Sequence, residues 1–255
     1  MTHAHLRERL RRGELRHAAW LALRDPLAAE AIARSGVDLV VFDRQHGAIE
    51  DGDLIGLLQA AQPFVPALVR LASVDPAAVT RALDLGADGV IVPLVGSVAD
   101  ARRAVAAALY PPAGTRSYGP LRAAVRHGPS YRERVAEHAL VIAMIETTNA
   151  LADVEAIAAV PNLGGLFVGP ADLGLALGVG PQTDGDDPTY LAARRRVVAA
   201  AHDHGIAVGL HGVDVEAQRA ALADGIDWVV VAGDLPLLVT GTRERLAALA
   251  GARAQ

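Results

Sequence analysis

The 255-residue chain contains no cysteine and no lysine. Without cysteine it has no disulfide, no thiolate nucleophile and no zinc–thiolate site. All 24 basic residues are arginine. A chain without lysine cannot form a Schiff base with a carbonyl substrate or with pyridoxal phosphate, and it has no P-loop lysine. A GC-rich genome that writes Arg and Ala for Lys and Ser explains the composition, and the mechanistic exclusion holds whatever the cause. No apolar run reaches eighteen residues, so no membrane span is expected. Residues 1–16 are rich in arginine but carry Glu8 and Glu14 and have no apolar core, unlike a secretory signal. On that ground the chain is expected in the cytoplasm. A net charge of -5 gives no reason to expect a nucleic acid or another polyanion as partner.

What is present is a repeat. Hydrophobic residues make up 52% of the chain, ample for a large core. After a polar amphipathic helix or arm over residues 1–16, short apolar runs alternate with helical patterns. The runs Ala18–Leu23, Asp38–Asp43, Pro66–Leu71, Gly89–Val95, Ala139–Ile145, Gly165–Val168, Ile206–Leu210 and Asp227–Val231 read as strands. They are continuous and rich in Val, Ile and Leu, as expected of strands covered on both faces. Asp25-Pro26 and Asp75-Pro76 are helix starts, an N-cap followed by a first-turn proline. Other helices are expected over Glu50–Gln62, Ser97–Leu109, Thr148–Val160, Thr189–His204, Val215–Ala223 and Leu235–Ala250. Two long connections remain, Tyr110–Glu137 and Gly174–Pro188, of the length that is functional or partly helical. Strand–helix alternation repeated eight times predicts a single (β/α)8 TIM barrel over residues 1–255 with an N-terminal helical arm. The rival is a doubly wound open sheet. Against it, no glycine-rich phosphate loop follows the first strand.

Barrel enzymes carry their chemistry at the C-terminal ends of the strands. That rule selects Asp43-Arg44-Gln45-His46, Arg70, Pro93, Glu146, Gly169-Pro170-Ala171-Asp172, His211 and Gly233-Asp234. Glu146 and Asp172 each end an apolar run, and carboxylate oxygens suit Mg2+, Mn2+ or a similar ion whose remaining positions water or substrate fills. The structural alternative is that Glu146 pairs with an arginine and Asp172 caps a turn. Arg70 is either an oxyanion partner or half of an ion pair with Glu146 or Asp43. His46 is either a proton carrier oriented by Asp43 or a turn histidine. His202 and His204 stand at a helix C-terminus, near the strands' other ends, and read as solvated. A metal, an arginine and a histidine without a lysine point to enolate chemistry on a 2-oxo acid. The acid would chelate the metal, and Arg70 would steady the enolate.

The motifs DRQHG (Asp43–Gly47), VR (Val69-Arg70), LDLGADGVIVP (Leu83–Pro93), YPPAGTRSYGP (Tyr110–Pro120), IET (Ile145–Thr147) and GPADL (Gly169–Leu173) occur in order. With them the chain, from about Leu15 to Leu249, resembles the metal-dependent class II pyruvate aldolases of the HpcH/HpaI type. These include 4-hydroxy-2-oxoheptanedioate and 2-dehydro-3-deoxyglucarate aldolases. The resemblance implies reversible cleavage of a 4-hydroxy-2-oxo acid to pyruvate and an aldehyde through a metal-bound enolate, with Mg2+, Mn2+ or Co2+ as cofactor. It implies Glu146 and Asp172 as metal ligands, His46 as acid/base and Arg70 on the pyruvyl oxygen. It gives Asp84 as partner of the histidine, although Asp84 falls at a helix end in the pattern above. The Gly169, Pro170, Ala171 and Asp172 backbone would hold the carboxylate, and the particle would be a homohexamer with neighbouring subunits completing the site. Three positions depart from the familiar form of the family. Gln45 replaces a glutamate beside the histidine, Met144 replaces a glutamine before Glu146, and His211 stands where an apolar residue is expected; Gln45 and His211 remain substrate-contact candidates. Arg116, Arg122 and Arg126 are candidates for an anionic aldehyde or for subunit-interface ion pairs. The alternatives are another lyase of the superfamily, acting on oxaloacetate or a CoA thioester, and a non-catalytic 2-oxo-acid-binding barrel.

Overall fold

The computed structural model describes residues 6–182, 185–212 and 214–251. The eight expected strands are present as β1 (His17–Leu21), β2 (Leu39–Asp43), β3 (Ala67–Arg70), β4 (Gly89–Val92), β5 (Leu140–Ile145), β6 (Gly165–Val168), β7 (Ala207–His211) and β8 (Trp228–Gly233). All neighbours pair in parallel, and β8 closes against β1, making a (β/α)8 barrel rather than an open sheet. The helices are α1 (Leu6–Arg11), α2 (Pro26–Ala33), α3 (Asp51–Ala61), α4 (Pro76–Asp84), α5 (Val98–Ala108), α6 (Leu121–His127), α7 (Val135–His138), α8 (Thr148–Ala152), α9 (Val154–Ala158), α10 (Pro170–Ala176), α11 (Pro188–Asp203), α12 (Val215–Ala223) and α13 (Asp234–Gly251). Among the described residues no helix is long and apolar enough to cross a membrane.

The Asp-Pro pairs act as expected. Asp25 accepts from the Leu27 and Ala28 amides, and Asp75 accepts from Ala77. Asp187, before Pro188, does the same for Thr189 and Tyr190. Each cap satisfies first-turn N–H groups that have no partner inside the helix.

Three expectations need correction. The N-terminal helix is not a free polar arm: Leu6 and Leu10, with Leu15, are buried in the cluster that fills the barrel interior. It plugs the N-terminal end of the barrel, which a polar-looking sequence with only two apolar positions concealed. Residues 1–5 of the expected arm lie outside the described residues. The helix expected over Thr148–Val160 is broken at Asp153 into α8 and α9. The connection expected from Gly174 begins later, because α10 continues through Ala176. The 110–137 connection carries α6 and α7 and joins the C-terminus of α5 to the start of β5. In a βα unit that places it at the N-terminal rim, the rim that maintains stability rather than the one that carries chemistry.

Inside the barrel, side chains alternate inward and outward with a period of two. The inward set, Ala18, Leu39, Val41, Leu68, Ile91, Leu140, Ile142, Phe167, Ala207, Trp228 and Val230, forms one packed cluster. The outward set, including Val40, Phe42, Val69, Val90, Val141 and Val208, packs beneath the helices in a second, larger one. Register shifts once, between β1 and β8, where Val231 is passed over. That bulge lies just before α13 leaves the barrel.

Candidate active site

Continuing the period of two toward the C-terminal rim brings Trp20, Asp43, Arg70, Glu146 and His211 to the last inward positions of five strands. The apolar layer below thus gives way to a layer of polar side chains. Buried charges must be paired or bind a ligand, and Asp43, Arg70 and Glu146 are only 3%, 9% and 1% exposed. Above them opens a cavity of about 290 Å³ lined by Trp20, His46, Arg70, Met144, Glu146, Phe167, the Gly169–Asp172 turn and His211.

Asp43 and Arg70 are directly paired across β2 and β3. Arg70 donates from Nε to Asp43 Oδ1 at 2.9 Å and from Nη2 to Oδ2 at 2.6 Å, a two-pronged fork. Trp20 Nε1 donates to the same carboxylate at 3.2 Å, and its ring lies 4.9 Å from the guanidinium carbon. Burial pushes the Asp43 carboxyl up, but Arg70 outweighs it and the group is held below the usual range. Of the two ion pairs open to Arg70, the structure forms the one with Asp43. Nη1 of Arg70 makes no hydrogen bond among the described residues and is free for a ligand.

Asp43 does not orient the His46 ring. It accepts from the backbone amides of Gln45 and His46, at 2.9 and 3.3 Å, and so shapes the loop that holds the imidazole over the cavity. Gly47 closes that loop: a Cβ there would collide with the Asp43 carbonyl and press on Ala22.

Glu146 is asymmetric. Oε1 accepts the Leu94 amide at 2.5 Å, whereas Oε2 is buried without any hydrogen-bond partner. Leu94 takes the left-handed conformation, φ 53°, to aim that amide. For a leucine this costs about 1 kcal/mol or more and marks a locally constrained site. Burial, assisted by the nearby Asp172 charge, holds Glu146 above the usual carboxylate range against the opposing Leu94 amide. Gly169 lies directly against the orphan oxygen; a Cβ there would stand 2.5 Å from Oε2 and 3.1 Å from Met144 Cε. Asp172 sits in the first turn of α10 and lines the same cavity. A buried carboxylate oxygen lacking a donor, beside a second carboxylate, fits a divalent cation. Among the described residues no group of three or more His, Asp or Glu side chains could hold a metal, so these two carboxylates are the acids the cavity offers a cation.

The remaining candidates divide. His46, Gly169, Pro170, Ala171, Met144 and His211 all line the cavity. Pro170 has no N–H, so the first-turn donors of α10 are the amides of Ala171 and Asp172. His211 meets Trp20 edge-on at 5.3 Å, and burial and then Arg70 push its pKa down to about 4. Gln45 is outside the cavity lining, and its Oε1 is buried without a partner. Asp84 is not brought to His46 within one chain. It is the last residue of α4, at the opposite rim, where its carboxylate takes Arg116 Nη2 at 2.6 Å. Arg116 also donates to Tyr131 Oη and is fully enclosed, Arg122 donates to Gln62, and Arg126 pairs with Asp88. All three arginines therefore make intrachain contacts at the N-terminal rim; none reaches the cavity. His202 lies at the α11 C-terminus, half-exposed, 3.2 Å from Asp227. Trp20 and Leu94 were not singled out by sequence, and the Asp43 pair with Arg70 stood there only as one of two alternatives. The period of two implicates Trp20 and Asp43, whereas a leucine at positive φ leaves no sequence mark.

The chain is similar in sequence and fold to known proteins. The HpcH/HpaI aldolase/citrate lyase model matches residues 16–240. A hydroxypyruvate/pyruvate aldolase of Rhizorhabdus wittichii is 38% identical over 90% of this chain and 92% of its own. A 2-dehydro-3,6-dideoxy-6-sulfogluconate aldolase of Pseudomonas putida is 36% identical over 92% of each. The crystal structure of an HpcH/HpaI aldolase/citrate lyase family protein from Burkholderia cenocepacia superposes with a TM-score of 0.88 at 34% identity, covering 96% of this chain and 98% of that one. With its barrel and its sequence in agreement over nearly the whole length, the chain belongs to the HpcH/HpaI aldolase/citrate lyase family.

Proposed function

We propose that the protein, one barrel domain, is a divalent-metal-dependent aldolase. It reversibly cleaves a 4-hydroxy-2-oxo acid to pyruvate, or a related 2-oxo acid, and an aldehyde. The observation that carries this reading is the orphan Oε2 of Glu146 beside Asp172, facing the Arg70 fork, in a chain with no lysine to form an imine. The names of two relatives, a hydroxypyruvate/pyruvate aldolase and a 2-dehydro-3,6-dideoxy-6-sulfogluconate aldolase, agree with it.

Glu146 and Asp172 would hold Mg2+, Mn2+ or Co2+, which supplies Lewis-acid polarisation of the 2-oxo group. The Ala171 and Asp172 amides receive the substrate carboxylate. Arg70, fixed by Asp43 and Trp20, presents Nη1 to the C2 oxygen as charge develops there. In cleavage, the C4 hydroxyl gives its proton to His46 or to a water that His46 orients. The C3–C4 bond breaks, its electron pair passes into the enolate, and the C4 carbonyl leaves as aldehyde. The enolate then takes a proton at C3 to give pyruvate.

The exposed apolar side of α13 supports association of several copies. Leu235, Leu237, Leu238, Leu246 and Leu249 are 50–67% exposed, a run of leucines that its own barrel does not cover. We take the particle to be a homo-oligomer, a hexamer by resemblance to the family, in which Asp84 would serve the His46 of a neighbouring chain.

Pyruvate release from a 4-hydroxy-2-oxo acid is expected with Mg2+, Mn2+ or Co2+, to vanish on exhaustive chelation and to return when the ion is restored. Full activity surviving chelation would sink the metal-dependent reading.

A further inference from the structure

The cavity wall across from Glu146, Asp172 and His46 is largely apolar. Trp20, Met144 and Phe167 build it; Arg70 and His211 interrupt it. Arg70 is committed to Asp43. His211 contacts Trp20 edge-on, yet neither ring nitrogen makes a hydrogen bond among the described residues. His211 is only half-buried and its ring nitrogens are not among the enclosed polar atoms that lack a partner, so they are open to a ligand in the cavity. His211 also stands at a junction. With Trp20 and Arg70 it lines a second cavity of about 430 Å³ that opens between the end of β8 and the start of α13, along Val231, Leu235 and Leu237.

The register across β6 and β7 sets His211 beside the Gly169–Ala171 turn, since Val168 pairs with Leu210. The side chain therefore lies beside the turn where the aldolase reading seats the 2-oxo acid, at the junction with the second cavity. Burial and the Arg70 charge keep the imidazole neutral. A neutral imidazole offers one donor and one acceptor, as an aliphatic hydroxyl does; a carboxylate offers only acceptors.

We infer that His211 is a specificity-determining residue whose imidazole hydrogen-bonds a hydroxyl on a carbon flanking the bond made or broken, so that hydroxylated reactants are preferred over their deoxy analogues. This rests on the aldolase reading above. The hydroxyl belongs either to C3 of the 2-oxo acid or to the carbon next to the aldehyde.

The test compares the metal-loaded wild type with His211→Leu and His211→Gln. One arm measures kcat/KM for 3-hydroxypyruvate against pyruvate with propanal fixed. The other measures glycolaldehyde against acetaldehyde with pyruvate fixed. In one arm the hydroxylated-to-deoxy ratio should fall about tenfold in His211→Leu and be largely kept in His211→Gln, the size of one hydrogen bond. The arm that responds names the source of the hydroxyl. Calorimetric binding of 3-hydroxypyruvate and pyruvate without aldehyde gives a readout free of turnover, and His211→Phe serves if the leucine variant does not fold. Unchanged ratios in both arms overturn the inference. If such a variant still exchanges deuterium into the pyruvate methyl group, the aldolase reading stands and only the role of His211 falls. A wild type that never enolises pyruvate overturns both.

Discussion

Arg70→Ala is expected to abolish turnover and weaken the fold together. The guanidinium holds Asp43 through two hydrogen bonds at 2.9 and 2.6 Å, in a layer where both are nearly inaccessible. Truncation leaves a buried carboxylate with only Trp20 and two loop amides as donors, and breaking a buried pair from one side costs about 3–5 kcal/mol. Nη1 is lost at the same time. Removing one donor to a developing oxyanion lowers kcat by about 100-fold to 1,000-fold. The loop bearing His46 hangs from the same Asp43 carboxylate, so proton transfer suffers as well. Lysine is a poor substitute, because a point charge cannot reproduce the fork. Arg70→Lys should regain part of the stability and little of the turnover. Urea unfolding beside steady-state cleavage separates the two effects. A stable Arg70→Ala enzyme with near-normal kcat would remove Arg70 from the reaction.

Glu146→Gln is expected to lose the metal while keeping the barrel. The amide oxygen still accepts the Leu94 N–H, and the side-chain volume hardly changes. What disappears is the charged oxygen that has no protein donor. Loss of even an outer-sphere partner costs about 10-fold to 100-fold in metal affinity, and a direct ligand should cost at least as much. Gly169→Ala tests the same oxygen from the other side. Its Cβ would fall 2.5 Å from Oε2, so the carboxylate must move. Equilibrium dialysis of Mn2+ against both variants and wild type reads the effect without an assay for the reaction. A fully metal-loaded, active Glu146→Gln enzyme would contradict the ligand assignment.

The barrel was legible because its strands announce themselves. Runs such as DLVVFD and LVIAMI are apolar on both faces, and Asp-Pro pairs mark helix starts. The acids Glu146 and Asp172 were legible because each ends such a run. The Asp43–Arg70 pair was left open, since the two residues lie 27 positions apart and meet only through the β2–β3 register. Asp84 shows the limit of transfer by motif. Its place at the end of α4 follows from the helix pattern, and in one chain that place is the wrong rim for His46. The arginines of the 110–137 connection are open in sequence between an anionic aldehyde and subunit-interface ion pairs. The direction of the chain places them at the N-terminal rim, in ion pairs and hydrogen bonds with Asp84, Asp88 and Gln62. The α1 plug was missed because two leucines in a charged hexamer, LRERLR, carry too little signal to indicate burial.

Exchange of solvent deuterium into the methyl group of pyruvate, followed by proton NMR, tests the central claim without knowledge of the aldehyde. With a cation held by Glu146 and Asp172 beside Arg70, and His46 or a water it orients taking the methyl proton, pyruvate should enolise without an aldehyde. Wild-type protein with Mg2+, Mn2+ or Co2+ is therefore expected to exchange the methyl protons. Exhaustive chelation and Glu146→Gln should each stop it. Exchange that persists after chelation, or its absence in the metal-loaded wild type, would contradict the account.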